Sequence, residues 1–201
     1  MNRFSMAIFG VSWLALLGGG IAFSMRYDYT AGAGGVSHVE WPAESHLQRE
    51  AGVPTLVMLV HPKCPCTEAS LDELEALLGE HPGQVQAHVI FFKPEHAGDD
   101  WLATATWKQA SAIPGVKVSV DRSGEEAQRF GAETSGDVYF YDTAGHLAFH
   151  GGITRSRGET GENAGYDAVS ALLAGSTAAL SHSLVFGCSL HDSPGSTAFR
   201  P

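Results

Sequence analysis

The sequence predicts an α/β fold of three layers, in which a mixed β-sheet lies between helices. The first observation is that short apolar runs alternate with amphipathic segments between residues 55 and 130. The second is a change after residue 136, where two apolar runs flank the turn residues 143–145, as in an antiparallel hairpin. Parallel strands followed by a hairpin predict a mixed sheet with helices on its faces.

Each element has its own signal. Residues 56–60 are continuously apolar, as expected of a strand covered on both faces. Residues 70–78 combine a Ser-x-x-Glu capping box with leucines at helical intervals. The other predicted elements are strands at 85–92 and 116–120, helices at 99–112 and 125–130, hairpin strands at 138–142 and 147–150, and a helix at 166–173.

The chain has 201 residues, which predicts one globular domain with appendages. We divide it into a membrane anchor or signal segment at 1–26, a flexible glycine-rich tether at 27–50, a domain at 51–176 and a C-terminal tail at 177–201. The net charge is −10, with 12 basic and 22 acidic residues and no basic run. This charge argues against a nucleic-acid partner.

The N-terminal segment is long and apolar. Residues 4–25 carry no charge, and Arg3 precedes them while Arg26 follows. That length spans a bilayer, and the preceding positive charge favours a cytoplasmic N-terminus. A cleaved signal peptide, with a small-x-small site at residues 22–24, is the alternative. Either way we expect the domain on the periplasmic or extracytoplasmic side, in the first case on a single-pass protein of the inner (plasma) membrane, in a compartment where disulfides persist.

Two of the three cysteines lie where the first strand gives way to a helix, in the sequence His-Pro-Lys-Cys-Pro-Cys-Thr at 61–67. Unpaired N–H groups and the helix dipole stabilise a thiolate at a helix N-terminus. Pro65 suits the first helical position, so Cys64 is predicted to be an exposed N-cap residue. A Cys-x-Cys disulfide closes a small, strained ring, and strain makes a disulfide easier to reduce.

Further along the chain, residues 118–132 contain a strand, an Asp-x-x-Gly turn and a helix, and 138–146 follow as a hairpin. With the two cysteines, these segments resemble the thioredoxin superfamily in its TlpA/peroxiredoxin-like branch, over about residues 51–175. The cysteine motif, the Gly-Gly-Ile-Thr loop at 151–154 and the late Gly187-Cys188 are similar to small membrane-anchored proteins described as RedB-like. The resemblance implies a thioredoxin-like fold, no cofactor, and a protein thiol, a disulfide or a peroxide as the reacting partner.

The chain departs from the family in two respects. One residue separates the cysteines, and Thr134 or Ser135 stands where the family usually places a cis-proline beside them. Either hydroxyl could hydrogen-bond a thiolate or a peroxide oxygen, and both residues are equally suited to an ordinary turn.

The candidate catalytic residues are the cysteines. Cys64 is the predicted nucleophile and Cys66 the predicted resolving thiol. Cys188 lies in the tail, which could fold back over the site, and an odd cysteine in an exported protein suggests pairing or reactivity. Lys63 is a candidate for lowering a thiol pKa, and Arg155 and Arg157, in the long loop at 151–165, for reaching a thiolate or an acidic substrate group. For each of these residues, a surface or loop role is an equal alternative.

Three functions are compatible with these residues. The first is a membrane-tethered thiol-disulfide oxidoreductase or thiol peroxidase. The second is a Cu(I)-binding metallochaperone of the Sco type, not an enzyme, with Cys64, Cys66 and His61 as ligands, because soft thiolates select Cu(I). The third is a thioredoxin-like scaffold whose cysteines have lost their role.

Overall fold

The computed structural model describes residues 3–191, so residues 192–201 of the predicted tail lie outside it. The helices are α1 (Arg3–Asp28), α2 (Cys66–Glu80), α3 (Ala105–Ala112), α4 (Glu125–Phe130) and α5 (Ala164–Leu173), with a 3-10 turn at Asp99–Leu102. The strands are β1 (Thr55–Val60), β2 (Gln86–Lys93), β3 (Val116–Arg122), β4 (Asp137–Tyr141) and β5 (Leu147–Gly151).

The five strands form one mixed sheet in the order β3-β2-β1-β4-β5. β1, β2 and β3 run parallel, β4 is antiparallel to β1, and β5 is antiparallel to β4. The predicted mixed sheet with a C-terminal hairpin is therefore confirmed. Its central strand is β1, so the residues that follow Val60 leave the sheet at its middle.

Two apolar cores cover the two faces of the sheet. On one face Leu56 and Met58 of β1 pack with buried side chains of α2, α3 and α5. On the other face Val57 and Leu59 pack with those of α4. Alternate β1 residues thus enter opposite cores, which is why residues 56–60 of the strand are all apolar. This is the predicted three-layer arrangement.

The helix predicted over 99–112 is divided into the 3-10 turn and α3. Thr104 separates them, because its backbone is extended and its hydroxyl accepts a hydrogen bond from the backbone N–H of Trp107. A threonine in this position is an N-cap, which starts a new helix and does not continue the previous one.

The segment predicted as a flexible tether lies against the domain. Its Gly32 N–H donates to the Val185 carbonyl at 2.8 Å, and Trp41 packs edge-on against Phe130, with ring centroids 5.2 Å apart. A Cβ atom at Gly35 would lie 1.6 Å from the Gly131 carbonyl oxygen. Gly35 therefore permits close backbone approach, a different role from the predicted flexibility. The domain boundaries themselves remain a prediction.

The N-terminal helix is long and apolar enough to cross a membrane over Met6–Asp28, and none of that stretch is buried in the protein. These properties fit either a membrane anchor or a signal sequence. The predicted choice between them stays open.

Candidate functional site

The site begins where β1 ends. The N–H of Cys64 donates to the His61 carbonyl, and the N–H of Thr67 donates to the Cys64 carbonyl, both at 3.1 Å. Helix α2 starts at Cys66, with Pro65 as its N-cap residue at helical φ and ψ angles of −59° and −28°. Cys64, the predicted N-cap residue, thus stands one residue before the observed N-cap.

The prediction that Cys64 is exposed is wrong. Its relative exposure is 2%, and that of Cys66 is 6%. The reason is that residues 185–191, here called the tail segment, return to the site from beyond α5. The Sγ atoms of Cys64 and Cys188 lie 2.8 Å apart, and the Cys188 N–H donates to the Cys64 sulfur at 3.4 Å. This separation exceeds the S–S bond length of about 2.05 Å, so the three cysteines are free thiols.

The three thiols strongly perturb one another's ionisation. Hydrogen bonds from Cys188, and secondly from Cys66, hold the pKa of Cys64 far below its ordinary value. The hydrogen bond between Cys188 and the Cys64 sulfur raises the pKa of Cys188, so Cys188 keeps its proton. For Cys66, the hydrogen bond with Cys188 lowers the pKa, but Cys64 and burial raise it further, so its net shift is upward. The opposite directions of these shifts favour Cys64 as the thiolate, with Cys188 as the proton donor at its sulfur.

The tail segment is held in the site as an extended strand. The Ser135 N–H donates to the Cys188 carbonyl at 2.8 Å, and the Leu190 N–H donates to the Glu133 carbonyl at 2.9 Å. Thr134 and Ser189 form an antiparallel bridge between these two bonds. The Leu190 side chain is buried in the core on the α4 face. Main-chain pairing and one apolar anchor thus position Cys188.

Thr134 and Ser135 both lie beside the tail segment, but their hydroxyls have partners other than a thiol. The Ser135 hydroxyl accepts from the His61 N–H at 2.9 Å and hydrogen-bonds the Thr67 hydroxyl at 3.0 Å. The Thr134 hydroxyl donates to the Ala33 carbonyl at 2.9 Å. The predicted hydrogen bonds from these hydroxyls to a thiolate are therefore not formed. Among residues 3–191 every peptide bond is trans, so neither residue reproduces a cis-proline turn.

The loop between β5 and α5 reaches the tail segment through Arg157 and not through Arg155. The Arg157 guanidinium donates to the carbonyls of Gly187 and of Thr30, at 2.5 and 3.1 Å, and its positive charge lowers the pKa of Cys66. Arg155 is exposed and lines a separate depression with Glu162 and Leu184. Both arginines occur in the same glycine-rich loop, so the sequence carries no signal that separates them.

Lys63 is exposed, and its ammonium group lies 4.0 Å from the centre of the Trp101 ring. This is a cation–π contact, and the predicted effect of Lys63 on a thiol stays a prediction. The His61 ring also packs beside Trp101, at 5.5 Å between centroids, and its Nδ1 accepts from the Lys63 N–H at 3.2 Å. Sequence reasoning missed Trp101, because it lies about 40 residues from the motif and no local pattern links the two.

Gly187 is the other residue that the sequence did not single out for its own role. A Cβ atom there would lie 1.9 Å from the Ser135 carbonyl oxygen, so only glycine allows the tail to approach this closely. The adjoining Gly-Cys pair is the signal that could have found it, since glycine often marks a close backbone contact.

The predicted alternative of a copper site concerns Cys64, Cys66 and His61. Across residues 3–191, no group of three or more His, Cys, Asp or Glu side chains is arranged to hold a metal ion. Copper binding therefore remains a prediction from the residue types, as does the expectation that the protein needs no cofactor.

The arrangement of the strands defines the class of fold. A β-α-β unit with parallel strands, followed by an antiparallel hairpin and a helix, and with paired cysteines after the central strand, is the thioredoxin-like fold that the sequence resemblance predicted. The chain thus has the fold of the thioredoxin superfamily. The more detailed likeness to RedB-like proteins stays a prediction.

No protein-family profile and no curated protein matches the chain. Among solved structures, a hypothetical protein from Sinorhizobium meliloti matches 84% of this chain and 97% of its own, at 21% identity and a TM-score of 0.60. An uncharacterized conserved protein from Geobacillus kaustophilus matches 83% and 92%, at 20% identity and a TM-score of 0.59. A secreted disulfide oxidoreductase from Mycobacterium tuberculosis matches 62% and 83%, at 17% identity and a TM-score of 0.45. At such identities the first two likenesses concern the fold alone.

Proposed function

We propose that this protein is a thiol-disulfide oxidoreductase whose redox couple is Cys64 and Cys188. The observation that carries the proposal is the 2.8 Å separation between the two sulfur atoms, which come from positions 124 residues apart. A thiolate with a protonated thiol at contact distance is the arrangement that thiol-disulfide exchange requires, because one sulfur attacks and the other resolves the product.

The direction of attack follows from the ionisation of the three thiols. Cys64 carries the lowered pKa and is therefore the nucleophile, as the sequence predicted. Cys188 is the resolving thiol, whereas the sequence motif suggested Cys66 for that role. Cys66 is the second of the two thiols that lower the pKa of Cys64.

The substrate is a disulfide or a dithiol of another protein. When the reduced protein acts, the Cys64 thiolate attacks one sulfur of a partner disulfide and releases the other sulfur as a thiolate, which takes up a proton. Cys188 loses its proton and attacks the Cys64 sulfur of this mixed disulfide, which frees the partner as a dithiol. Two electrons pass to the partner, and a second dithiol must then reduce the Cys64–Cys188 disulfide.

The site also lies next to the end of α1. The backbone N–H of Arg157 donates to the Asp28 carbonyl at 3.0 Å, in the last residue of that helix. If α1 is a membrane anchor, as we propose, the thiols face the extracytoplasmic side close to the bilayer surface, and the partner is exposed there.

Exchange activity tests the proposal directly. The full chain in detergent is given a peptide disulfide as substrate, with a dithiol as the reductant. Cys64→Ser is expected to reduce the rate to that of the uncatalysed reaction. Cys188→Ser is expected to accumulate a mixed disulfide at Cys64, because the resolving thiol is missing, whereas the matched Cys66→Ser variant turns over.

Retained activity in Cys64→Ser, or accumulation of the mixed disulfide in Cys66→Ser alone, would contradict the assignment of these roles. A peroxidase reaction would begin with a sulfenic acid at Cys64. Hydrogen peroxide, offered in place of the peptide disulfide, tests that alternative in the same variants.

A further inference from the structure

The tail segment fills the groove through which a partner must reach Cys64. It runs between the turn at 61–66 and the loop at 133–136, with its Cys188 sulfur against the Cys64 sulfur. Exchange requires a sulfur of the partner to approach the attacking sulfur. Because Cys64 is 2% exposed, a protein disulfide has no path to it while the tail segment is in place.

The contacts of the tail segment are those of a bound peptide. Two main-chain hydrogen bonds to Glu133 and Ser135 flank an antiparallel bridge, as when an extended chain adds to the edge of a folded one. The groove restricts the side chain at two positions of the bound segment. The backbone of Ser135 leaves no room for a Cβ at position 187, and the apolar core on the α4 face receives Leu190.

The ends of the tail segment have further contacts, because the Gly32 N–H donates to the carbonyl of the buried Val185 and the His191 ring packs edge-on against Phe92. The Arg157 guanidinium donates to the Gly187 carbonyl, and the neighbouring Ser189 is exposed. Cys188 itself is held by its hydrogen bonds to Ser135 and Cys64, which a partner segment of the same shape would replace one for one. A partner segment that matches residues 187–190 therefore offsets the contacts that these residues lose when the tail is displaced.

We propose that the tail segment is a displaceable internal ligand that closes the groove, and that the natural partner presents an extended segment of the same pattern. In this pattern a glycine precedes the reactive cysteine, and an aliphatic residue stands two positions after it. This inference rests on the proposed exchange activity. The tail leaves, the partner segment binds with its disulfide at Cys64, and the tail returns to deliver Cys188 after the mixed disulfide has formed.

The tail segment also couples the closure of the groove to the redox state of the protein. In the oxidised protein a Cys64–Cys188 bond holds the tail segment in the groove covalently, so that a partner meets a closed site. Reduction by a dithiol breaks that bond and leaves only the noncovalent contacts. The groove is thus available to a disulfide substrate only when the protein holds the two electrons that the substrate needs.

Displacing the tail tests the inference without altering a thiol. Gly187→Ala places a Cβ against the Ser135 carbonyl, whereas the control Gly79→Ala adds a Cβ in open space on α2. The readout is the rate at which iodoacetamide alkylates Cys64 in the reduced full chain, measured by peptide mass at pH 9, where even an ordinary thiol is about half ionised. We expect the rate to rise about tenfold or more in Gly187→Ala and to stay unchanged in Gly79→Ala. An unchanged rate in folded Gly187→Ala would overturn the inference.

A second variant serves if Gly187→Ala does not fold. Arg157→Gln removes the guanidinium from the Gly187 carbonyl, and Arg155→Gln is its control in the same loop. We expect faster alkylation of Cys64 in Arg157→Gln alone. Equal rates in the two variants would contradict the claim that the Arg157 guanidinium helps to hold the tail segment in the groove.

The preferred partner pattern is tested with peptides. A peptide with the sequence of residues 185–191, with serine in place of the cysteine, is expected to protect Cys64 of Gly187→Ala from alkylation. The same peptide with alanine in place of its glycine, or with serine in place of its leucine, is expected to protect at least tenfold less well. Equal protection by the three peptides, or none by any, would overturn the proposed pattern.

These readouts do not depend on exchange activity. If the proposed function fails but the inference holds, alkylation and protection follow the expected order while no disulfide is exchanged. If only the inference fails, the protein exchanges disulfides and the alkylation rate of Cys64 is the same in Gly187→Ala and Gly79→Ala.

Discussion

The two regions that bring cysteines to the site are built in different ways. Cys66 belongs to the first turn of α2, whose leucines Leu71, Leu74 and Leu77 are fully buried against the sheet. Cys188 belongs to the tail segment, which has no helix or strand of its own within residues 174–191 and is held by main-chain bonds and by the buried side chains of Val185 and Leu190. The helix therefore fixes a thiol in space, while the tail supplies one that can leave and return. A resolving cysteine benefits from the second property, because a partner must first occupy its position.

The largest expected effect is on the free energy of unfolding, and it distinguishes a disulfide to the tail segment from a disulfide within the motif on α2. A Cys64–Cys188 disulfide would close a loop of 124 residues, and the entropy of the unfolded chain would fall accordingly. Such a loop is worth about 5 kcal/mol in the chain-entropy description, whereas a Cys64–Cys66 ring would add far less. Denaturant unfolding of the oxidised and reduced full chain is expected to show a large difference in the free energy of unfolding.

The control for this stability difference is Cys188→Ala, in which oxidation can join only the two cysteines of the motif. We expect oxidised and reduced forms of Cys188→Ala to unfold at nearly the same denaturant concentration. An equally large stabilisation in that variant would place the redox couple on the helix and not on the tail.

The next effect concerns the pH dependence of Cys64. Hydrogen bonds from Cys188 and then Cys66 lower the pKa of Cys64, so its thiolate persists as the pH falls well below the ordinary value of 9.0. The alkylation rate of Cys64 is therefore expected to change little between pH 6 and pH 9 in the natural protein. In Cys188→Ala the rate should rise steeply over that range, by up to about 500-fold for a thiol of ordinary pKa.

The comparison is sharpened by Cys66→Ala, which removes the weaker of the two hydrogen bonds. We expect a smaller rise with pH than in Cys188→Ala. The reverse order would mean that the helix, and not the tail, controls the ionisation of the nucleophile.

The smallest effect tests the residue that joins the two regions. The Ser135 hydroxyl contacts His61 and Thr67 on the helix side, and its backbone N–H holds Cys188 on the tail side. Ser135→Ala is expected to lower the free energy of unfolding by about 1–3 kcal/mol, because the part-buried His61 N–H loses its acceptor. The tail should stay in place, since its bond uses only the backbone of Ser135.

The Ser135→Ala variant is characterised by urea unfolding and by the rate at which Cys64 is alkylated. Ser189 is exposed and lies in the tail segment, where it pairs with Thr134 in an antiparallel bridge. Its variant Ser189→Ala is the control and should change the free energy of unfolding little. A faster alkylation of Cys64 in Ser135→Ala would show that its side chain, and not its backbone, retains the tail.

The sequence made the helix side of this site predictable and left most of the tail side unpredicted. The apolar run of β1 and the leucine spacing of α2 are local patterns, and they predict where Cys64 and Cys66 lie to within one residue. The position of Cys188 depends on main-chain bonds to Glu133 and Ser135, and main-chain groups leave no residue-specific pattern in a sequence. The tail could thus be proposed to fold back, but the burial of Cys64 beneath it could not be foreseen.

Glycines show the same limit. The glycines of the 31–35 segment predict flexibility by composition, yet a Cβ at Gly35 would overlap the Gly131 carbonyl oxygen, and Gly187 is constrained in the same way by Ser135. A glycine needed for close approach and a glycine in a flexible linker are identical in a single sequence, and only the position of the neighbouring chain separates them.

The pairing of the oxidised cysteines tests the central claim most directly. The reduced full chain is oxidised under mild conditions, its remaining thiol is alkylated, and the disulfide is located by peptide mass. We expect a Cys64–Cys188 bond with Cys66 alkylated. A Cys64–Cys66 bond with Cys188 alkylated would contradict it.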